Sequence, residues 1–278
     1  MWRAASWPPV SFGVSLRIAL GIEYDGAPFC GWQSQPSQVT VQEALEVAVA
    51  RIAGMPTRLV CAGRTDTGVH ALGQVAHFDT SAQRPPSAWS KGVNTHLPGS
   101  IAVLWAQPVS DEFHARFSAS GRHYEYVLVN RAVRPAVGAT TCAWFPLPLD
   151  LVAMRAAAAQ LVGMHDFSAF RSSQCQAKSP TRDLRRLTIE RDGDMIRFCL
   201  EANAFLHHMV RNIIGCLVYV GKGRFDPGWI GELLRSRDRS LAAPTFAPQG
   251  LYLTGVDYAP QWQVPTSQRR RPFLASCT

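Results

Sequence analysis

The sequence predicts an α+β fold of two similar α/β half-domains. Strand, amphipathic helix and strand succeed one another in the first half, the alternation returns after Asp150, and a hairpin signature stands at Asp192-Gly193. The expected boundaries are 16–110 for the first half and 111–258 for the second, with 1–15 a disordered extension and 259–278 a mobile tail.

Leu16 to Tyr24 is a compact β-type run that ends at Asp25-Gly26, a turn signal. Thr40-Val41-Gln42-Glu43 has the spacing of a capping box, and Val41, Leu45, Ala48 and Ile52 recur at helical intervals, so a helix is expected to about Gly54. Leu59 to Ala62 resumes as a strand, and the loop Gly63-Arg64-Thr65-Asp66-Thr67-Gly68 leaves its end. Gln74 to Asp79 and Ser100 to Val109 read as strands around a short helix at Ser87 to Asn94. Arg122 to Asn130 alternates, which predicts a strand with one face buried, and the prolines of 131–148 interrupt regularity. The second half then offers a helix from Asp150 to Leu161, a hairpin of Leu184 to Arg191 with Met195 to Ala202, an apolar helix from Phe205 to Val220, a short helix at Trp229 to Arg235 and a last strand at Leu251 to Tyr258.

With 278 residues, 47% of them hydrophobic and 17% charged, the chain can bury a large core. No apolar run approaches the roughly 18 residues of a membrane helix, and Met1 to Pro9 lacks the apolar stretch of an export signal. The seven cysteines include no C-x-x-C pair, which argues against a zinc site or a disulfide framework and for reduced thiols in a cytoplasm. The net charge is +8, and all but Lys91, Lys178 and Lys222 of the 28 basic residues are Arg. An excess of guanidinium groups suits a polyanionic partner, although Arg270 and its neighbours in the tail read simply as a solvated run.

The 63–68 loop encloses a single carboxylate, Asp66, between two glycines that permit a tight turn and close approach of a ligand. Taken alone, an Asp in such a place is more often an Asx-turn residue than a catalyst. The glycine spacing imitates a phosphate-binding loop, but Val69-His70 stands where Lys-Ser/Thr is required. His70, His77 and Asp79 carry no metal-site spacing. His207 and His208, adjacent on an expected helix, should diverge so that at most one faces any given site. Cys175 has no flanking feature that would activate a thiol.

The stretch Gly63 to Ala71, with Gly73-Gln74-Val75-Ala76-His77-Phe78 after it, closely resembles the signature of the tRNA pseudouridine synthase A family. Further stretches agree in order: Tyr24-Asp25-Gly26 with Gly31-Trp32-Gln33, Phe113 to Ser118, Arg122-His123-Tyr124-Glu125-Tyr126, Asp166-Phe167, Asn203 to Asn212, and Leu251-Tyr252-Leu253. The resemblance spans 16–258. It implies mainly antiparallel sheets flanked by helices around a central basic cleft, and isomerisation of uridine at positions 38 to 40 of the tRNA anticodon stem-loop. No cofactor and no metal are implied, because the uracil is detached from C1′, rotated and rejoined through C5 without redox change.

The resemblance also assigns roles. Asp66 is the essential carboxylate, with three roles open to it: attack on the base, attack on the sugar, or removal of a sugar proton. Arg64 fills the space left by the flipped nucleotide, Tyr124 stacks on the uracil, Arg211 pairs with Asp66 and keeps it ionised, and Leu251 walls the base pocket. RNA contact is expected from Arg84, from Phe113, His114, Ala115, Arg116 and Phe117, and from Gln174, Cys175, Gln176, Ala177 and Lys178. The family works as a homodimer whose tRNA contacts both subunits. Thr67 stands where the family commonly has Ala. A catalytically silent tRNA-binding module, and a carboxylate-based nucleotide hydrolase, are the competing readings.

Overall fold

The structure is a computed structural model that describes residues 15–265. The expected extension, Ser15 apart, and residues 266–278 of the expected tail lie outside the described residues. In chain order the elements are β1 (Leu16–Tyr24), α1 (Val41–Ala53), β2 (Val60–Cys61), β3 (His70–Thr80), β4 (Ile101–Val109), β5 (Ala119–Asn130), β6 (Ala143–Phe145), α2 (Leu151–Ala159), β7 (Gly163–Asp166), β8 (Thr181–Asp192), β9 (Met195–Ala202), α3 (Met209–Gly221), α4 (Trp229–Ser236) and β10 (Leu251–Tyr258).

The helices begin and end where local chemistry satisfies their free backbone groups. Thr40 Oγ1 accepts from Glu43 N at the start of α1, and Gly54 closes it in the left-handed conformation. Asp150 caps α2 by accepting from Val152 N and Ala153 N. Helix α3 is buried on almost every side, so it is apolar all round rather than amphipathic.

All ten strands join in one sheet, ordered β4-β1-β3-β10-β5-β9-β8-β7, with β2 on β3 and β6 on β5. Every pairing is antiparallel except β3 with β10 and β5 with β6. The two halves therefore merge edge to edge. β10, the last strand of the chain, enters the seam between β3 of the first half and β5 of the second. The seam is short in register, Tyr252 opposite His70 and Leu253 opposite Ala71. Side chains reinforce it: the His70 and Tyr252 rings stack with centroids 4.6 Å apart, and His70 Nε2 faces the Gln249 carbonyl at 3.1 Å.

Four expectations change. β5 is buried on both faces from Gly121 onward, because it is a central strand whose polar residues find partners, His123 Nε2 with Asp257 Oδ2 at 2.6 Å among them. The apolar helix begins at Met209 rather than Phe205, since Asn203 Oδ1 accepts from Ala204 N and Asp183 N and holds 203–208 as a loop. β6 arises in the stretch read as irregular, and β7 in one to which no element was assigned. The tail expected from 259 packs onto the body through Val264: Trp262 meets Phe113 edge-on at 5.7 Å, and Gln107 Nε2 donates to Gln263 O.

The seam leaves no room for side chains at Gly73, where a Cβ would lie 2.5 Å from Thr254 O and 3.0 Å from Gly255 Cα, both backbone atoms of β10. Gly73→Ala should therefore push the halves apart and cost about 1–3 kcal/mol. A urea melt reads this as a lowered midpoint at unchanged slope, and an unchanged midpoint would contradict the tight seam.

Candidate active site

The 63–68 loop is held at Gly63, Thr65 and Gly68 by groups from the first half. Buried Gln74 grips both backbone groups of Gly63, donating from Nε2 to Gly63 O at 2.7 Å and accepting at Oε1 from Gly63 N at 3.4 Å. The Tyr24 hydroxyl and Thr65 Oγ1 lie 2.8 Å apart, and Trp32 N donates to Thr65 O. Gly31 sits at φ +85°, and a Cβ there would stand 2.7 Å from Thr65 O, so only glycine lets this segment brace the loop. The Tyr-Asp-Gly and Gly-Trp-Gln stretches are thus the scaffold of the Asp66 loop.

Asp66 does not serve as a local turn cap. Its Oδ2 accepts from Arg211 Nη1 at 2.9 Å, a residue 145 positions away in the first turn of α3. His207 Nε2 approaches Oδ1 at 3.2 Å and His208 Nε2 approaches Oδ2 at 3.4 Å. Both imidazoles therefore reach the carboxylate, against the expectation that they diverge. They do so because neither lies within the helix: His208 occupies the left-handed region at φ 63° just before α3, and the rings lie side by side with centroids 4.0 Å apart. Such a backbone costs on the order of 1–3 kcal/mol in a non-glycine residue and is characteristic of functional sites. Arg211 is itself braced, donating from Nε to Phe246 O at 2.8 Å.

Burial is the largest influence on the Asp66 carboxyl and pushes its pKa up, but the His207 hydrogen bond, the charge of His208 and the ion pair with Arg211 together outweigh it. The net result is a pKa below the ordinary carboxylate range. A carboxyl depressed in this way contributes stability that is present above its unfolded pKa and is lost as pH falls through its folded one. Burial also pushes the His208 imidazole pKa down, an effect only partly offset by Asp66.

Asp66, His207 and His208 are close enough to converge on a metal ion, as are His123, Glu201 and Asp257. At the first group the Arg211 cation already occupies Oδ2, which opposes a second cation there. His70, His77 and Asp79 are each engaged elsewhere, by Gly26 N, Ala115 N and Arg17 respectively.

The other expected residues divide into those gathered around Asp66 and those set apart. Tyr124, on β5, packs edge-on against Phe205 at 4.9 Å, and burial with the negative charge of Asp66 raises its phenol pKa, so it stays protonated. Leu251 on β10 shares its sheet face, since Leu253 opposes Tyr124 and Leu251 opposes Tyr126. Arg64 is exposed and makes no hydrogen bond or ion pair among the described residues. The loop of Gln174, Cys175, Gln176, Ala177 and Lys178 abuts the histidines: His207 N donates to Cys175 Sγ at 3.4 Å, and Ser172 N to His207 O at 3.0 Å. Burial raises the Cys175 thiol pKa, yet amide donors from Ala177 and His207 with Arg171 bring it below its usual value, a setting its sequence neighbours did not reveal.

Within 113–117 the structure corrects the expected RNA contacts. Phe113 and Ala115 are fully buried and build the core, whereas Arg116 and Phe117 are exposed, the guanidinium 5.5 Å from the ring centroid. His114 supports them, accepting at Nδ1 from Arg116 N and Phe117 N. Arg84 is exposed but tied to α1 through Ile52 O.

Arg122 was read only as part of a strand and of the family resemblance, and its role was missed. Buried on β5, it donates to the carbonyls of Ala62 (3.2 Å), Arg116 (2.7 Å), Asn203 (2.8 Å) and Ala119 (3.2 Å). These carbonyls belong to the approach to the Asp66 loop, to the 113–118 loop and to the loop carrying both histidines.

Residues 21–118 and 157–259 match the family described as tRNA pseudouridine synthase. A protein named tRNA pseudouridine synthase A from Dechloromonas aromatica is 56% identical over 250 residues, 90% of this chain and 95% of its own. One of the same name from Burkholderia thailandensis is 57% identical over 253 residues, 91% of this chain and 94% of its own. A crystal structure of a Cbf5-Nop10-Gar1 complex covers 72% of this chain and 45% of its own at 12% identity and a TM-score of 0.34, too distant to bear on the site.

Replacing Arg122 by Met should leave four carbonyls without their donor and loosen three loops together, at about 1–3 kcal/mol of stability for buried groups left unmatched. A thermal melt should show the lowered Tm, and a variant that melts like the wild type would contradict the anchoring role.

Proposed function

The chain belongs to the tRNA pseudouridine synthase family, and on that premise we propose that it isomerises uridine to pseudouridine at positions 38 to 40 of the tRNA anticodon stem-loop. The observation that carries this is the Asp66 carboxylate, ionised and oriented by Arg211, His207 and His208 in a loop braced at Gly63, Thr65 and Gly68. In the reaction the C1′–N1 bond breaks and C1′–C5 forms, while a proton leaves C5 and N1 gains one, so the isomerisation is balanced without cofactor.

A paired uridine must leave its stack, at a cost of a few kcal/mol. Arg64, exposed and unpaired beside Asp66, is suited to fill the gap. The ring of Tyr124 and the side chain of Leu251 present one apolar wall for the uracil. Arg116, Phe117, Gln174, Gln176 and Lys178 are exposed on loops tied to the same centre and suit phosphate, sugar and base contacts. The working form is taken to be a cytoplasmic homodimer with tRNA contacting both subunits, carried over from the family resemblance. No helix among the described residues is long and apolar enough to cross a membrane.

Asp66→Asn keeps the shape of the side chain and removes the charge. With uridine tritiated at C5 in an anticodon stem-loop, the wild type should release tritium and the variant should lose that release by about a thousandfold or more, while both bind the RNA. Absence of release by the wild type would favour the silent binding module, and product from mononucleotides would favour the hydrolase.

A further inference from the structure

Apart from the Asp66 centre, the described residues form an open groove of about 380 Å³ lined by Ser168, Arg171, Ser172, Ser173, Arg237, Asp238 and Arg239. We propose that this groove binds a backbone phosphate of the RNA strand close to the target nucleotide, an inference that presupposes the RNA substrate argued above.

Three guanidinium groups and three serines meet here, a donor set that matches a phosphodiester. Two of the arginines are held in place. Arg171 Nη2 donates to Cys175 O, and Arg239 Nη2 donates to Asn212 Oδ1 at 3.1 Å and Thr245 Oγ1 at 3.2 Å. Arg237 is exposed, and its one ion pair, with Asp166 Oδ2 at 3.4 Å, is of the weak surface kind. The nearby carboxylates are partly spent on local turns: Asp238 Oδ1 accepts from Ser240 N and Oγ, and Asp166 Oδ1 from Ser168 N. Both carboxylates stay charged, yet Arg171, Arg237 and Arg239 outnumber Asp166 and Asp238, so the groove keeps a positive surplus with a movable cation at its rim.

Arg237 also stands at the end of α4 with φ 56°, where glycine is the favoured residue. An Arg there sets its charge at a local cost in backbone energy. The groove lies close to the chemistry, because Ser172 N donates to His207 O and His207 Nε2 contacts Asp66. On the other side Arg239 grips Asn212, the neighbour of Arg211 on α3. A phosphate seated here would hold the strand on the same elements that hold the carboxylate.

The glycine preference makes Arg237→Gly a clean probe, since it removes the charge without disfavouring the fold. Binding of a synthetic anticodon stem-loop is measured across about 50–200 mM salt for wild type, Arg237→Gly and Arg237→Lys. Arg237→Gly should weaken binding about five- to tenfold and lower the slope of log Kd against log salt by about 1, with Tm no lower. Arg237→Lys should restore the slope. An unchanged slope in Arg237→Gly, or one that Lys fails to restore, would overturn the assignment. These are binding measurements, so they are read separately from tritium release, whose absence in the wild type would strike the isomerase reading instead.

Discussion

The ion pair between Asp66 and Arg211 is the constraint on which the rest of the structure converges. Its partners come from opposite halves of the chain and meet at 2.9 Å, so the carboxylate is charged and aimed only if the halves keep a fixed relation. The sheet supplies that relation by threading β10 between β3 and β5. Gln74, Tyr24 and Trp32 hold the Asp66 side, while Phe246 holds the Arg211 side. A partly buried charge pair whose partners are both braced is a pre-organised site, and pre-organised charge is what a reaction through a carboxylate needs.

Around that pair the loops behave as a set. Arg122 joins three of them through carbonyls, and the loop at 171–178 reaches the same centre through Cys175 and Ser172. RNA contact at Arg116, Phe117 or Lys178 and the chemistry at Asp66 are therefore mechanically connected by short polar links. The excess of arginine follows the same logic, because guanidinium groups here work as anchors to carbonyls inside the protein as well as candidate partners for phosphates outside it.

Much of this was legible in the residues, for identifiable reasons. The Thr40 cap and Gly54 stop delimited α1, and the β-type run from Leu251 to Tyr258 matched β10. Asp66 and Arg211 were found through resemblance, since neither is distinctive in isolation. His207 and His208 were misjudged because the apolar run was extended back to Phe205; Asn203, an Asx-turn former, was the available sign that a loop precedes the helix. Arg122 could not be found from the strand pattern, because its partners are backbone carbonyls that leave no mark in sequence. Phe113 and Ala115 were taken for surface because their motif was read as a unit, whereas the turn alternates buried and exposed positions. The edge-to-edge merger of the halves depends on which strand enters the seam, a long-range choice that local pattern does not encode.

The central claim is that Asp66 is held ionised by the groups around it, and a titration of its side-chain carboxyl by carbon-13 NMR, assigned with Asp66→Asn, tests that directly. The resonance should titrate below the ordinary carboxylate range in the wild type and move upward in Arg211→Met, which removes one of the cationic partners. An Asp66 that titrates at or above the ordinary range, or that is indifferent to Arg211, would contradict it.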